Sequence, residues 1–269
     1  MSAPRPSTRV TVDPTNPGEF FACCGLLELA DRLWPGGAEG WFEAGRFLLR
    51  RTDGTEATLA HLIQAVSGVK LRQLDLEDDM SSPVELPRPF ALRLDWWQEK
   101  GGEGRANPLK VWAGAMRNVR IARAMLGALA RPELQTEVLF AQATVVYDTD
   151  EPEKKVEPFY FDARRGANAQ PLDVGFSPDP LKITTTAYPA VEFLCLVGLQ
   201  RGRPRPTDTR RVFDYYTWSR PLEVAVLPAA VSGLLPGLRG RGYRFECAFR
   251  TDQKKHKSFL PSTPLGGDP

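Results

Sequence analysis

Residues 159–211 constrain this chain more than any other stretch, because they impose in succession a strand, a long interruption, a helix and a run of arginines. Phe159–Asp162 alternates and is aromatic, as a strand requires. Arg164-Arg165-Gly166 and the Gly/Pro/Asn/Asp-rich run to Asp179 continue neither strand nor helix, which leaves a long loop with two adjacent arginines at its mouth. Pro189 then stands where a first helical turn tolerates a missing N–H, and Val191, Phe193, Leu194, Val197 and Gly198 follow at helical spacing to Gly202. That helix runs into Arg201, Arg203, Arg205, Arg210 and Arg211, opposed in sequence only by Asp208. Guanidinium forks pair bidentately with phosphate and stay charged at physiological pH, so the cluster points to nucleic acid; the plain alternative is a solvated linker.

A chain of 269 residues, 42% of them apolar, is long enough for one large or two small bodies with a proper core. No apolar run approaches the roughly 20 residues that span a bilayer, and MSAPRPSTRV lacks the apolar centre of a signal peptide, so the expectation is a cytoplasmic protein with no membrane partner. Cys23, Cys24, Cys195 and Cys247 are irregularly spaced in apolar surroundings and read as buried thiols, with no cofactor or metal expected. The two histidines are His61, in an apolar helical pattern, and His256, in a basic tail. Net charge is +2, divided as 17 basic and 20 acidic side chains in residues 1–150 and 18 and 13 in 151–269. Binding charge therefore lies in the second half, at a level that fits a chain sharing its ligand with other subunits.

The firmest helix start is Asn16 as cap, Pro17 at the first position and Glu19 at the third, leading Phe20, Phe21, Cys24, Leu27, Leu29 and Leu33 to Trp34-Pro35-Gly36-Gly37. Trp41–Arg51 reads as two short strands turning near Gly45, Thr58–Val66 as a short helix carrying His61 on or beside its apolar face, and 74–89 as a loop before a strand at 90–95. Asn107-Pro108 predicts a long helix to about Ala130, with Lys110, Arg117, Arg120 and Arg123 along one basic face. Glu137–Tyr147 has strand propensity, and Val212–Trp218 with Leu222–Leu227 suggests a hairpin. Gly237–Tyr243 reads as a glycine-basic loop in which Arg239 and Arg241 meet phosphate, without the GK[ST] of a nucleotide-hydrolysing loop. The tail from Thr251 reads as disordered.

NPGEFFACCGLLELADRLWP (16–35), FDARRGANAQPLDVGFSPD (161–179) and AYPAVEFLCLVGLQRGRP (187–204) together resemble a family encoded with type I-U (I-G) CRISPR systems, the diverged large subunit of the surveillance complex, or Cascade. The resemblance implies a non-catalytic antiviral-defence subunit that works with crRNA, backbone and crRNA-end-binding subunits. It would contact target double-stranded DNA beside the protospacer, help PAM recognition and R-loop opening, and hand over to a helicase–nuclease effector. In such machines base pairing reads sequence while protein reads the adjacent motif and the backbone.

The expected architecture is α+β, mixed helices and antiparallel strands, two-lobed: a lobe over 1–150, a basic lobe over 151–250 and a tail over 251–269. The expected nucleic-acid contacts are Arg164, Arg165, the Arg201–Arg211 arginines, Lys110, Arg117, Arg120, Arg239 and Arg241, with Asn168 or Gln170 reaching base edges. Two other readings compete: a metal-independent ribonuclease acting on CRISPR RNA through His61 or His256, and a structural scaffold whose arginines are solvated.

Overall fold

Helix α1 (Pro17–Leu33) is the buried axis of the molecule, with every residue from Pro17 to Ala30 out of solvent. Asn16 caps it through its Oδ1, which accepts from the Gly18 N–H at 3.1 Å, and Pro17 fills the first position, where an N–H would have no partner. A helix covered on all sides must be packed on all sides. The computed structural model describes residues 5–98, 100–101, 105–113, 116–165, 186–250, 254 and 256–266, with only the backbone of 100–101 and 105–106. Asn168, Gln170 and most of the long loop lie outside the described residues.

Strand β1 (Thr8–Thr11) precedes α1, and β2 (Ala38–Glu43) with β3 (Arg46–Arg51) follows as a hairpin. Its turn residues Ala44 and Gly45 are both left-handed, at φ +48° and +73°, matching the strand twist. Helix α2 (Leu59–Ser67) is capped by Thr58. A small sheet of β4 (Arg72–Gln73), β5 (Val84–Leu86) and β6 (Leu92–Leu94) comes next, then the ribbon β7 (Lys100–Gly101) and β8 (Arg105–Ala106). Helices α3 (Asn118–Ala128) and α4 (Pro189–Gly198) flank the middle of the chain. The last part supplies β9 (Arg205–Pro206), β10 (Val212–Trp218), β11 (Leu222–Glu223), α5 (Leu227–Val231), β12 (Arg239–Phe249), β13 (Lys257–Phe259) and β14 (Thr263–Pro264). One sheet has the order β1-β3-β2-β11; another is β13-β12-β10-β9, with β14 also on β12; all the pairings are antiparallel. The fold class is α+β.

α1 and α4 carry the same local pattern. Aligning Glu19 with Glu192 sets Phe20 on Phe193, Phe21 on Leu194 and Gly25 on Gly198. The helices cross where the two glycines meet: a Cβ on Gly25 would stand 2.0 Å from the Leu194 carbonyl oxygen, and one on Gly198 would stand 1.9 Å from that of Phe21. Because Phe21 and Leu194 are themselves the aligned pair, the crossing has local two-fold symmetry. The next aligned pair outward, Glu28 and Arg201, forms an ion pair at 2.6 Å.

Around this crossing the core is largely aromatic. Phe20 lies against Phe42, Tyr215 and Trp218, while Phe21 lies against Tyr215, Phe245 and Phe259. Phe161 and Phe159 continue the chain of rings to Trp112, Trp96 and Trp97. Four indoles also fasten backbone, among them Trp218, whose Nε1 donates to Gly40 O at 2.7 Å, and Trp96, whose Nε1 donates to Leu196 O at 3.1 Å. One apolar core extends from Val10 to Phe259, across the boundary expected near residue 150.

Several expectations are corrected. The helix expected from Asn107 begins only at Asn118, because Trp112 is drawn into the ring cluster against Trp97 and Phe159 and its indole donates to Met80 O. Asn107 instead turns the chain, accepting from Leu109 N and donating to Trp96 O. Residues 137–147 form a 3₁₀ turn (Leu139–Ala141) and isolated bridges, since Leu139 and Phe140 bury as a turn and no strand pairs along the segment. Leu222–Glu223 pairs with β2 and not with β10, which lies between β9 and β12. The glycine-basic loop is the start of β12, and its Gly242 lies beneath the Tyr216 ring, where a Cβ would come within 2.5 Å of Cε1. The tail returns as β13 and β14, burying Phe259 completely.

Substituting Gly25 or Gly198 with alanine gains about 1 kcal/mol of helix propensity, but each Cβ meets backbone that cannot move without separating the helices. We expect a net loss of about 3 kcal/mol or more in denaturant unfolding. Gly237→Ala, with nothing within 4 Å of its Cβ, is the neutral control. Equal stability of all three variants would refute the close crossing.

Candidate nucleic-acid interface

At the N-terminal ends of α1 and α4 the chain gathers buried carboxylates. Asn16 Nδ2 donates to Asp162 Oδ1 (3.1 Å) and Glu19 Oε1 (3.3 Å), while its Oδ1 also accepts from Ala163 N (3.0 Å). Glu192 accepts from the N–H groups of Phe161 (3.3 Å) and Asp162 (3.1 Å). Arg164 closes the cluster: it meets Asp162 at 2.6 Å, Glu19 at 3.1 Å and Phe140 O at 2.7 Å, and its guanidinium lies 3.6 Å from the Tyr188 ring centre. Burial pushes the Glu192 carboxyl up to about 8, reinforced by the charge of Asp162, against the backbone donors. Burial also raises Glu19 to about 7 and outweighs both the Asp13 N–H and Arg164. Arg164 is thus a fastener between the 159–165 segment and α1. The Nε of Arg165 is buried and makes no hydrogen bond.

The opposite end of α4, about 15 Å away for its ten residues, opens on a groove of about 530 Å³ lined by Gln200, Arg201, Arg203, Arg205, Ser232 and Leu234. The β9–β10–β12 register sets Asp214 between Arg205 and Arg244. Arg244 grips it bidentately at 2.7 and 3.0 Å, and Arg205 reaches Oδ2 at 3.2 Å and the Tyr216 hydroxyl at 3.2 Å. Burial pushes the Asp214 carboxyl up, but hydrogen bonds and charges from Arg244 and Arg205 prevail and hold it below the usual carboxylate range. Arg239 lies over the Tyr216 ring at 5.3 Å. Arg201 is paired with Glu28, which also holds Arg32. Among the described residues the rim therefore carries more arginines than carboxylates, with Arg205 and Arg239 lying against the buried Tyr216 ring.

The stripe expected on one helix is divided. Arg117, Arg120 and Arg123 do share a face of α3, but each looks at an acid: Asp79 at 3.0 Å, Asp148 and Glu151 (2.9 Å), and Asp150 at 3.9 Å respectively. Lys110 lies before the helix, hydrogen-bonded to Ser81 and 5.1 Å from the Trp112 ring centre. Arg210 and Arg211 stand at the start of β10, roughly 17 Å along the strand from Tyr216. Arg241 is exposed on β12 and hydrogen-bonds Tyr243. Asp214, Tyr216 and Arg244 escaped the sequence reading; their signal is the outward positions of two strands, visible only once their register is known.

Catalytic groups are sparse among the described residues. His61 is exposed on α2, beside the apolar face formed by Leu59, Leu62 and Ile63, and its backbone N–H completes the Thr58 cap. All four cysteines are buried free thiols, and burial raises each thiol above its ordinary range. No group of three His, Cys, Asp or Glu among the described residues can hold a metal, and no described helix is long and apolar enough to cross a membrane. No protein-family model, curated protein or solved structure matches the chain.

The carboxylates of Glu19 and Glu192 bind protons more tightly when folded than at their ordinary value of 4.5, so their contribution is complete below that value and is lost as pH rises through about 7 and 8. Unfolding at a series of pH values is expected to show stability falling between pH 5 and 9, and Glu192→Gln flattening that fall. An unchanged slope in the variant would remove Glu192 from this role. Below about pH 4.5 the oppositely shifted Glu28, Asp148 and Asp214 reverse the trend.

Proposed function

We propose that this chain is a non-catalytic, cytoplasmic nucleic-acid-binding subunit of a crRNA-guided surveillance complex of the type I-U (I-G) class. The observation that supports it is the groove at the C-terminal end of α4, lined by Arg201, Arg203 and Arg205, with Arg205 and Arg239 both lying against the Tyr216 ring. Guanidinium groups along an open groove neutralise successive phosphates of a nucleic-acid backbone. A subunit of this kind adds contacts to duplex DNA beside the protospacer, supports strand opening and presents the displaced DNA to a helicase–nuclease, while crRNA pairing supplies the sequence. Only a modest excess of arginine is needed, because other subunits hold most of the ligand.

Arg203 on the groove wall and Arg239 beside Tyr216 are the residues to test. In fluorescence anisotropy with duplex and single-stranded DNA, replacing either arginine with alanine is expected to weaken binding. It should also flatten the log K against log salt slope by about 0.9 for each phosphate that is no longer neutralised. Affinities equal to the native protein's at both low and high salt would refute the groove as the binding surface.

A further inference from the structure

A second concentration of positive charge lies at the other end of β10. Arg211 precedes the strand in a left-handed conformation, at φ +64°; its carbonyl accepts from Cys247 N and its guanidinium lies 4.6 Å from the Phe249 ring centre. Lys257 is the residue opposite Phe249 in the β12–β13 register, so Arg211 and Lys257 flank the same ring. Lys257 also ties this edge to the segment before α3: its N–H donates to Val111 O and its Nζ to Pro108 O at 2.8 Å. That segment carries Lys110, and exposed Arg210 adjoins Arg211.

Four cations therefore gather where three segments meet, and among the described residues they outnumber the carboxylates that face them. Lys110 and Lys257 make hydrogen bonds to a serine hydroxyl and a backbone carbonyl, both uncharged. The nearest carboxylate to Arg211 is Glu246, at 3.7 Å, and Asp78 faces Lys110. The Nε of Arg211 is buried without a hydrogen-bond partner, an arrangement that costs free energy. Burial lowers the amine of Lys257 below its ordinary value, and Arg211 and Arg210 push the same way; burial lowers Lys110 too, with Lys257 adding to it. Like charges held together in a half-buried place are what an anion relieves.

We propose that Lys110, Arg210, Arg211 and Lys257 form a binding site for a phosphate group, separate from the groove around Tyr216. A phosphate offers acceptors to the guanidinium groups and amines of this edge, and its negative charge offsets cations that outnumber the two carboxylates, Glu246 and Asp78, facing them among the described residues. The phosphate is either free or the terminal phosphate of a nucleic acid strand, because a monoester carries more charge than a diester and exposes more acceptor oxygens.

The test uses the full chain and inorganic phosphate, titrated by calorimetry and by thermal shift against chloride at matched ionic strength. Saturable binding is expected. Arg210→Glu, at an exposed position that leaves the core intact, and Lys257→Gln are each expected to weaken it about tenfold or more. Arg203→Ala and Arg239→Ala are expected to leave it unchanged, which separates this site from the groove. A short oligonucleotide with a 5′-phosphate binding more tightly than its unphosphorylated twin, with the gain abolished in Arg210→Glu, assigns the site to a strand end. Equal binding of the two, with phosphate binding retained, assigns it to a free phosphate. Absence of saturable phosphate binding, or the same affinity in Arg210→Glu, overturns the proposal.

Discussion

The close crossing of α1 and α4 sets the positions of nearly everything else. Two glycines let backbone approach backbone, where any side chain would force the helices apart toward the usual 8–10 Å separation. With the helices so close, their aligned flanks meet in pairs: Phe21 and Leu194 pack at the crossing, and Glu28 and Arg201 pair beyond it. The two larger antiparallel sheets meet beside α1 through Phe20, Tyr215 and Trp218, whose indole reaches Gly40.

Polar groups complete the crossing at both ends. At the N-terminal end, Asn16 satisfies α1's first turn and the 159–165 segment with one amide, and Arg164 holds the buried acids in place. At the C-terminal end, Glu28 holds Arg32 and Arg201 on a single carboxylate. The arginines that look in sequence like one continuous basic tract are therefore sorted by the fold. Arg164 and Arg120 are engaged largely by carboxylates, whereas the groove around Tyr216 and the Arg211–Lys257 edge keep positive charge in excess of their acids. These two places carry the proposals made for nucleic acid and for phosphate.

Much was legible from residue pattern alone. The Asn16-Pro17 start, the turn near Gly45, the short helix beginning at Thr58 and the Pro189 helix are local devices, in which a few neighbouring residues decide the backbone, and the structure bears them out to within a residue or two. The repeat of Glu-Phe with a glycine six residues after the glutamate was equally present in sequence, and only the crossing gives it meaning. The regions misjudged are those where a side chain distant in sequence overrides local preference. Trp112 is pulled from a helix into a cluster with Trp97 and Phe159, residues 137–147 find no partner strand, and Lys257–Phe259 returns from a tail of loose composition to pair with β12.

The sequence by itself determined the α+β class, the principal helix starts and the inventory of arginines, because caps, turn residues, apolar periodicity and charge act over a few residues. Only the tertiary structure decided which arginines face acids, which strands lie side by side and which glycines touch. Those outcomes depend on register and on contacts more than a hundred residues apart, such as Arg201 with Glu28 or Trp218 with Gly40, which no short-range preference encodes.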